Sequence, residues 1–308
     1  MEGYNLEIKR LEELLKVKTQ RTMKLAVVAC HDEEVLSAVV EAEKLGIAEP
    51  ILIGHKEKTN VIAKEKGFDI SNYEFIDEED LGMAAEIGVK MVFGGKANFI
   101  MKGLVDTSIL LKAVLNKEWG LRTDSLLSHV MTYDIPNYSK LIYLTDGGMN
   151  LHPSLEDKVK IIENAAIVTK SLGREEVKVA CLAAKEKVDP KMIATVDAGE
   201  LKNKYMEGEF SKGVIVDGPM ALDLAVSKLS AEIKGYESPV AGDADILLVP
   251  NIEMGNGIGK SITYFAGGKS AGVVMGAKAP IVLVSRADDH ESKLYSIALG
   301  SVVAAFKE

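Results

Sequence analysis

Residues 245–292 read DILLVPNIEMGNGIGKSITYFAGGKSAGVVMGAKAPIVLVSRADDHES. A short apolar run, Ile246–Val249, is stopped by Pro250 and followed by a glycine-rich segment. A helix is expected from Ser261, then a second apolar run, Ile281–Val284, which ends in Ser285-Arg286 and a burst of charge. Short apolar runs bounded by chain breakers are the signature of buried strands. Twice, then, a strand ends where polar, anion-capable residues begin. In open α/β sheets ligands sit just outside the carboxyl ends of strands, which makes this stretch the candidate site as well as the key to the fold.

Outward from it, the same alternation runs through the chain. Glu2–Val17 has leucines at helical spacing. Lys24–Cys30 (KLAVVAC) is a near-continuous apolar run of the kind found in parallel strands covered on both faces. Helices are expected over 33–45, 60–66, 84–94 and 108–116, with strands over 50–54, 73–76 and 98–101 between them. Two strand-like runs, 126–131 and 140–144, precede a long helix over 155–172, after which the pattern restarts. The restart gives a strand at 177–182, a helix at 192–205, a strand at 214–216, a loop at Asp217-Gly218-Pro219 and a helix at 221–226. A polar surface segment covers 228–238 and a last helix 292–306. The expectation is two three-layer α/β/α domains with mostly parallel sheets and a cleft between them.

Composition narrows the classes. A net charge of −9 argues against general nucleic-acid affinity, which needs a basic face. The N-terminus has no cationic segment followed by an apolar core, so no secretory signal is expected. The longest apolar candidate for a membrane span, 271–284, is interrupted by Lys278 and Pro280. Cys30 and Cys181 both lie in apolar runs and read as reduced core thiols of a cytoplasmic protein. His31, His55, His129, His152 and His290 show no ligand spacing with each other or with the cysteines, so no metal site is expected.

The glycine segment fails two familiar patterns. A dinucleotide fingerprint requires glycine where Lys260 stands, and a P-loop requires it at Met254. Two readings remain for Gly255, Asn256, Gly257, Gly259, Lys260 and Ser261: an anion-binding loop ahead of a helix, or a tight strand-to-helix turn. Lys102 stands at a strand end, where it either meets an anion or is simply solvated, and Asp106 or Thr107 can cap the helix that follows. Lys112, further along that helix, reads as a solvated lysine. At the second strand end, an arginine fork at Arg286 can hold phosphate in a bidentate manner, and Ser285 can donate to the same centre. Ser285 has no nucleophile-elbow pattern around it. Asp288, Asp289, His290 and Glu291 are candidate bases, of which at most one is expected to serve in catalysis. The plainer reading is an acidic first turn that stabilises the last helix through its dipole.

Three segments together bring a family into view: MKGLVDTSILLKAVLNKE (101–118), VDGPMALDLAV (216–226) and, within the opening stretch, VPNIEMGNGIGKS, FAGGKSAG and VLVSRADDHE. Their order and spacing resemble the phosphate acetyl/butyryltransferases over nearly the whole chain, the butyryl branch most of all. The resemblance implies two domains like those of isocitrate and isopropylmalate dehydrogenases, with residues 1–140 and 290–308 in the first and 141–289 in the second. It implies reversible transfer of an acyl group from butyryl-CoA, or a related short-chain acyl-CoA, to inorganic phosphate. Acyl phosphate and CoA result, with no metal and no tightly bound cofactor, in a cytoplasmic homo-oligomer with no nucleic-acid or membrane partner.

The acetyl branch handles phosphate and carbonyl with a Ser-Arg pair, matched here by Ser285 and Arg286. Its aspartate base falls at Ser292, a departure that leaves Asp288, His290 or Glu291 as substitutes. Its second arginine, near 106–112, is also missing, leaving Lys102 or Lys112 to carry that charge. Competing expectations are a phosphate acetyltransferase and a non-catalytic small-molecule-binding protein. A metal- and nicotinamide-dependent dehydrogenase lacks its aspartate cluster and nucleotide loop here.

Overall fold

A computed structural model describes residues 7–285 and 288–308. In chain order the elements are α1 (Leu11–Leu14), β1 (Met23–Val28), α2 (Glu33–Lys44), β2 (Ala48–Gly54), α3 (Lys56–Lys66), β3 (Glu74–Asp77), α4 (Leu81–Phe93), β4 (Phe99–Lys102) and α5 (Thr107–Val114). There follow β5 (Ser128–Asp134), β6 (Ile142–Thr145), α6 (Leu155–Ser171), β7 (Val177–Leu182), α7 (Ile193–Met206), β8 (Val214–Met220), α8 (Leu222–Val226) and α9 (Lys228–Lys234). The chain closes with β9 (Ile246–Leu248), α10 (Ile252–Ala266), β10 (Lys269–Met275), β11 (Ile281–Val282) and α11 (His290–Lys307).

Two compact units result. The N-terminal unit comprises Leu11–Ser125 and Ser270–Glu308. Its strands lie in the order β3-β2-β1-β4-β11-β10, all parallel except the β10–β11 hairpin. β1 and β2 are buried at nearly every position, as strands covered on both faces must be. α2 packs with α11, and α4 packs with α5. The central unit, residues 7–10 and Leu126–Lys269, orders its strands β5-β6-β9-β7-β8, with only β5–β6 antiparallel. Its core gathers Ile142, Leu144, Ala180, Leu182, Met220 and Leu247. The fold is thus α/β with mostly parallel strands, as the alternation of apolar runs predicts.

The helix starts obey capping chemistry. Asp32 and Asp80 accept from backbone N–H groups of Val35 and Met83 at 2.9 and 2.8 Å, and Ser154 with Asp157 forms a capping box on α6.

Several local expectations change. Of the helix expected over 2–17, only α1 forms among the described residues, with Leu11 and Leu14 buried. β8 runs on through Asp217-Gly218-Pro219, which is strand rather than loop, because this segment continues to pair with β7 past an irregularity near Ala180 and Leu182. The polar segment after 227 holds α9, capped by Ser227. β10 was unmarked in the sequence, and its hairpin with β11, itself parallel to β4, places residues 270–285 in the N-terminal unit. Residues 126–140 lie in the central unit because β5 pairs with β6.

Candidate active site

In the N-terminal unit, four neighbouring parallel strands, β2, β1, β4 and β11, deliver their carboxyl ends in a row. Backbone approach at this end is close. Gly103 N–H donates to the Val28 carbonyl and Leu104 N–H to that of Ala29, both at 2.8 Å. A Cβ on Gly103 would come within 2.4 Å of the Ala29 oxygen, so only glycine fits there.

Lys102 is buried beside it. Its ammonium donates to the carbonyls of Gly103 and Val105, both at 3.2 Å. Asp106 stands at the N-cap of α5 without a side-chain cap bond, and Thr107 opens that helix half-buried. Lys112 is exposed along α5, as the sequence suggests.

β11 leads into Ser285, whose residue is exposed. Arg286, the sequence's first choice for holding phosphate, lies outside the described residues. The described residues on either side, Ser285 and Asp288, are joined by two hydrogen bonds. Ser285 N–H donates to Asp288 Oδ2 at 2.8 Å, and Asp288 N–H returns to the Ser285 carbonyl at 3.2 Å.

The four clustered candidate bases diverge in what they hold. Asp288 holds Ser285 N–H, and Asp289 caps α11 by accepting from Ser292 N–H at 2.8 Å. Burial opposes ionisation of Asp289, but the Ser292 donors and the charges of Lys293 and His290 outweigh it and hold the carboxyl below its ordinary range. His290 Nε2 lies 2.5 Å from Glu41 on α2, and Glu291 accepts from the Tyr295 hydroxyl at 3.2 Å. Ser292, at the position of the acetyl branch's base, gives its backbone N–H to the cap and its carbonyl to the Ser296 hydroxyl.

Sequence reading passed over one residue here. Lys293, in the first turn of α11, is only 3% exposed, and its ammonium donates to the carbonyl oxygen of Asp288. α11 is buried at every position from Lys293 to Ser301, so Lys293 shares the burial of the helix as a whole rather than of one apolar face.

The central unit holds a second polar strand end. Asp146, after β6, is 2% exposed. Its Oδ1 accepts from the N–H groups of Gly148 and Met149, and its Oδ2 from His129 N–H and Asn150 Nδ2, at 2.6–3.1 Å. The glycine segment lies against it, but not as a loop. Asn251 caps α10 by accepting from Met254 N–H at 3.0 Å, so Gly255, Asn256, Gly257, Gly259, Lys260 and Ser261 all lie inside the helix. Their backbone N–H groups belong to the helical ladder or its first turns, and an anion-binding loop is not formed.

Gly255 and Gly259, four residues apart, make the buried face. A Cβ on Gly255 would lie 2.6 Å from Gly147 Cα, and one on Gly259 2.4 Å from the Tyr133 hydroxyl. Asn256, Gly257, Lys260 and Ser261 are exposed on the other side. An open cavity of about 520 Å³ lies elsewhere in this unit, lined in part by Glu186, Lys202, Gly218 and Tyr236.

Neither cysteine is suited to act as a nucleophile. Both are buried and unpaired by disulfide; burial pushes the Cys30 thiol up to about 11 and the Cys181 thiol higher still. Among the described residues, no three His, Cys, Asp or Glu side chains converge on a metal-binding arrangement, and no helix is long and apolar enough to cross a membrane.

The chain's similarities to known proteins bear on both strand ends. A family model described as Phosphate acetyl/butaryl transferase matches residues 78–301, which include both. The chain is 44% identical to the phosphate butyryltransferase of Clostridium acetobutylicum over 296 residues, covering 96% of this chain and 98% of that protein. It is 41% identical to the phosphate acetyltransferase of Thermotoga maritima, covering 96% and 99% of the two chains. Among solved structures, a branched-chain phosphotransacylase from Enterococcus faecalis superposes with a TM-score of 0.82 at 33% identity, covering 92% of this chain and 99% of that one.

Proposed function

We propose, from the premise that this chain belongs to the phosphate acetyl/butyryl transferase family, that it is an acyltransferase converting butyryl-CoA and inorganic phosphate reversibly to butyryl phosphate and CoA. The observation that carries this reading is identity from end to end: 44% with a phosphate butyryltransferase, with 98% of that relative's length covered. A phosphate acetyltransferase at 41% makes acetyl-CoA the second reading. The departures from the acetyl branch at Ser292 and around residues 106–112 favour the longer acyl chain. CoA enters as substrate and product rather than as a resident cofactor, and we read the protein as a cytoplasmic homo-oligomer.

Transfer is direct, within a ternary complex. Towards acyl-CoA, a base removes the thiol proton of CoA and the thiolate attacks the carbonyl carbon of the acyl phosphate. The new C–S bond forms as the C–O bond to phosphate breaks, and phosphate leaves. Arg286 and a lysine hold the phosphate, while Ser285 supports the developing oxyanion; donors of this kind contribute roughly 10²–10³ in rate each. Of the candidate bases we assign the proton to His290. Its contact with Glu41 fixes the orientation of the ring, whereas the Asp288 carboxylate is committed to Ser285 N–H.

The deciding measurement is CoA release from butyryl-CoA and from acetyl-CoA, each with and without phosphate, followed by thiol titration. Phosphate-dependent release favouring butyryl-CoA is expected. A preference for acetyl-CoA moves the protein to the other branch, and no phosphate-dependent release from either ends the transferase reading. Arg286→Ala is expected to lower turnover by about 100-fold or more without moving the unfolding midpoint. A near-normal rate would remove Arg286 from the mechanism.

A further inference from the structure

We propose that Lys293 is a phosphate-binding residue: its buried ammonium supplies a cation beside Ser285 and Asp288. The inference rests on the transferase reading and adds a residue to it. Lys293 is 3% exposed, so its charge has lost nearly all of its hydration. Among the described residues its ammonium has one hydrogen-bond acceptor, the neutral carbonyl oxygen of Asp288, and no carboxylate within ion-pair distance. An ammonium carries three donors, so two are available beyond that bond.

The charged groups nearest to it along the helix are already engaged. Asp289 caps α11, His290 meets Glu41 and Glu291 accepts from Tyr295. Asp289 acts on Lys293 only through space, with no ion-pair contact, and a buried cation without a paired counter-ion is destabilising, which marks it as a site for an incoming anion.

The location agrees with the charge. Asp288, whose carbonyl Lys293 holds, exchanges two hydrogen bonds with Ser285. β4 and β11 are adjacent and parallel, so Lys102 and Ser285 stand at neighbouring strand ends. Lys102 already donates to two backbone carbonyls, and Lys112 is exposed on α5. Lys293 is therefore better placed than either lysine chosen from the sequence to replace the arginine this chain lacks.

The test is the KM for inorganic phosphate, read as initial CoA release at saturating butyryl-CoA, in wild type, Lys293→Met and Lys293→Arg. Met keeps the bulk and removes the charge. The Met variant is expected to raise the phosphate KM at least tenfold while leaving the acyl-CoA KM within twofold, and Arg is expected to restore most of the loss. The rise in unfolding temperature that phosphate confers on wild type should also vanish in the Met variant. A lowered kcat and unfolding midpoint with an unchanged phosphate KM would mean that Lys293 only anchors Asp288, and the proposal fails.

Should the Met variant not fold, the wild-type Lys293 ammonium resonance, assigned with Lys293→Arg and ¹⁵N-lysine labelling, is followed through a phosphate titration. A saturating shift supports the proposal and an unmoved signal overturns it. Absence of phosphate-dependent CoA release in wild type sinks the transferase reading. An active wild type whose phosphate KM survives Lys293→Met sinks this inference alone.

Discussion

Of the four buried lysines among the described residues, three divide into two kinds. In the central unit, Lys140 at 8% exposure lies 2.6 Å from Asp245 and 2.9 Å from Asp243, and Lys158 at 4% pairs with Asp197. Asp245 also meets Arg174 at 2.9 Å and accepts from the backbone N–H of Lys178. In the N-terminal unit, Lys293 is as deeply buried but, among the described residues, bonds only to a backbone carbonyl. The contrast separates a cation that belongs to the architecture from one that waits for chemistry. The first kind comes with its carboxylates built in, because desolvated charge is tolerated only when paired and hydrogen-bonded. The second leaves its counter-charge to arrive with a substrate.

The comparison breaks most readily on its architectural side. Asp245→Ala strips a nearly fully buried carboxylate from Lys140 and Arg174 and is expected to cost about 3–5 kcal/mol, towards the low end because Lys140 keeps Asp243. Urea unfolding measures it; a loss below about 1 kcal/mol would mean that the network does not stabilise the unit.

Gly259→Ala tests the glycine face of α10. Its new Cβ meets the Tyr133 hydroxyl, with an expected destabilisation of about 1–3 kcal/mol. Gly257→Ala, two residues away with nothing within 4 Å, should instead stabilise by about 0.5–1 kcal/mol. Equal effects at the two positions would contradict the helical register.

A further effect concerns acid. Burial opposes ionisation of Asp243, but bonds from Lys178 and Lys140 and their charges outweigh it, so its carboxyl sits at about 2. The folded value lies below the unfolded one, near 3.9. This stabilisation is therefore complete above about pH 4 and drains away as the pH falls towards 2. Asp243→Asn should flatten the pH dependence of the unfolding midpoint over that window, and an unchanged slope would assign the acid sensitivity elsewhere.

The strands were legible because both-faced burial writes an apolar run directly into the chain, as in Lys24–Cys30. The polar strand ends at Lys102 and Ser285 were legible for the complementary reason. The glycine segment was not. Glycines lower helix propensity, so Gly255–Gly259 read as a loop, and nothing local announces that Gly147 and Tyr133 need the space their missing side chains leave. Asn251, four residues ahead, was the available helix-start signal.

Lys293 escaped for a related reason. Lysine in a helix is usually solvated, and the burial of α11 on all sides from 293 to 301 comes from its packing in the fold, which nothing local announces. Which of the candidate bases faces which neighbour was also beyond sequence, since Glu41, the partner of His290, is 249 positions away.

The two sulfur atoms have a practical side. Cys30 and Cys181 are 0% and 2% exposed, and burial keeps both thiols protonated at neutral pH. A colorimetric thiol reagent added to the native catalyst should therefore find nothing to react with until CoA is liberated. Absorbance then counts turnovers with no correction for the protein's own thiols. Under denaturant the same reagent finds two equivalents per chain, so one cuvette yields both the rate and the amount of catalyst that produced it.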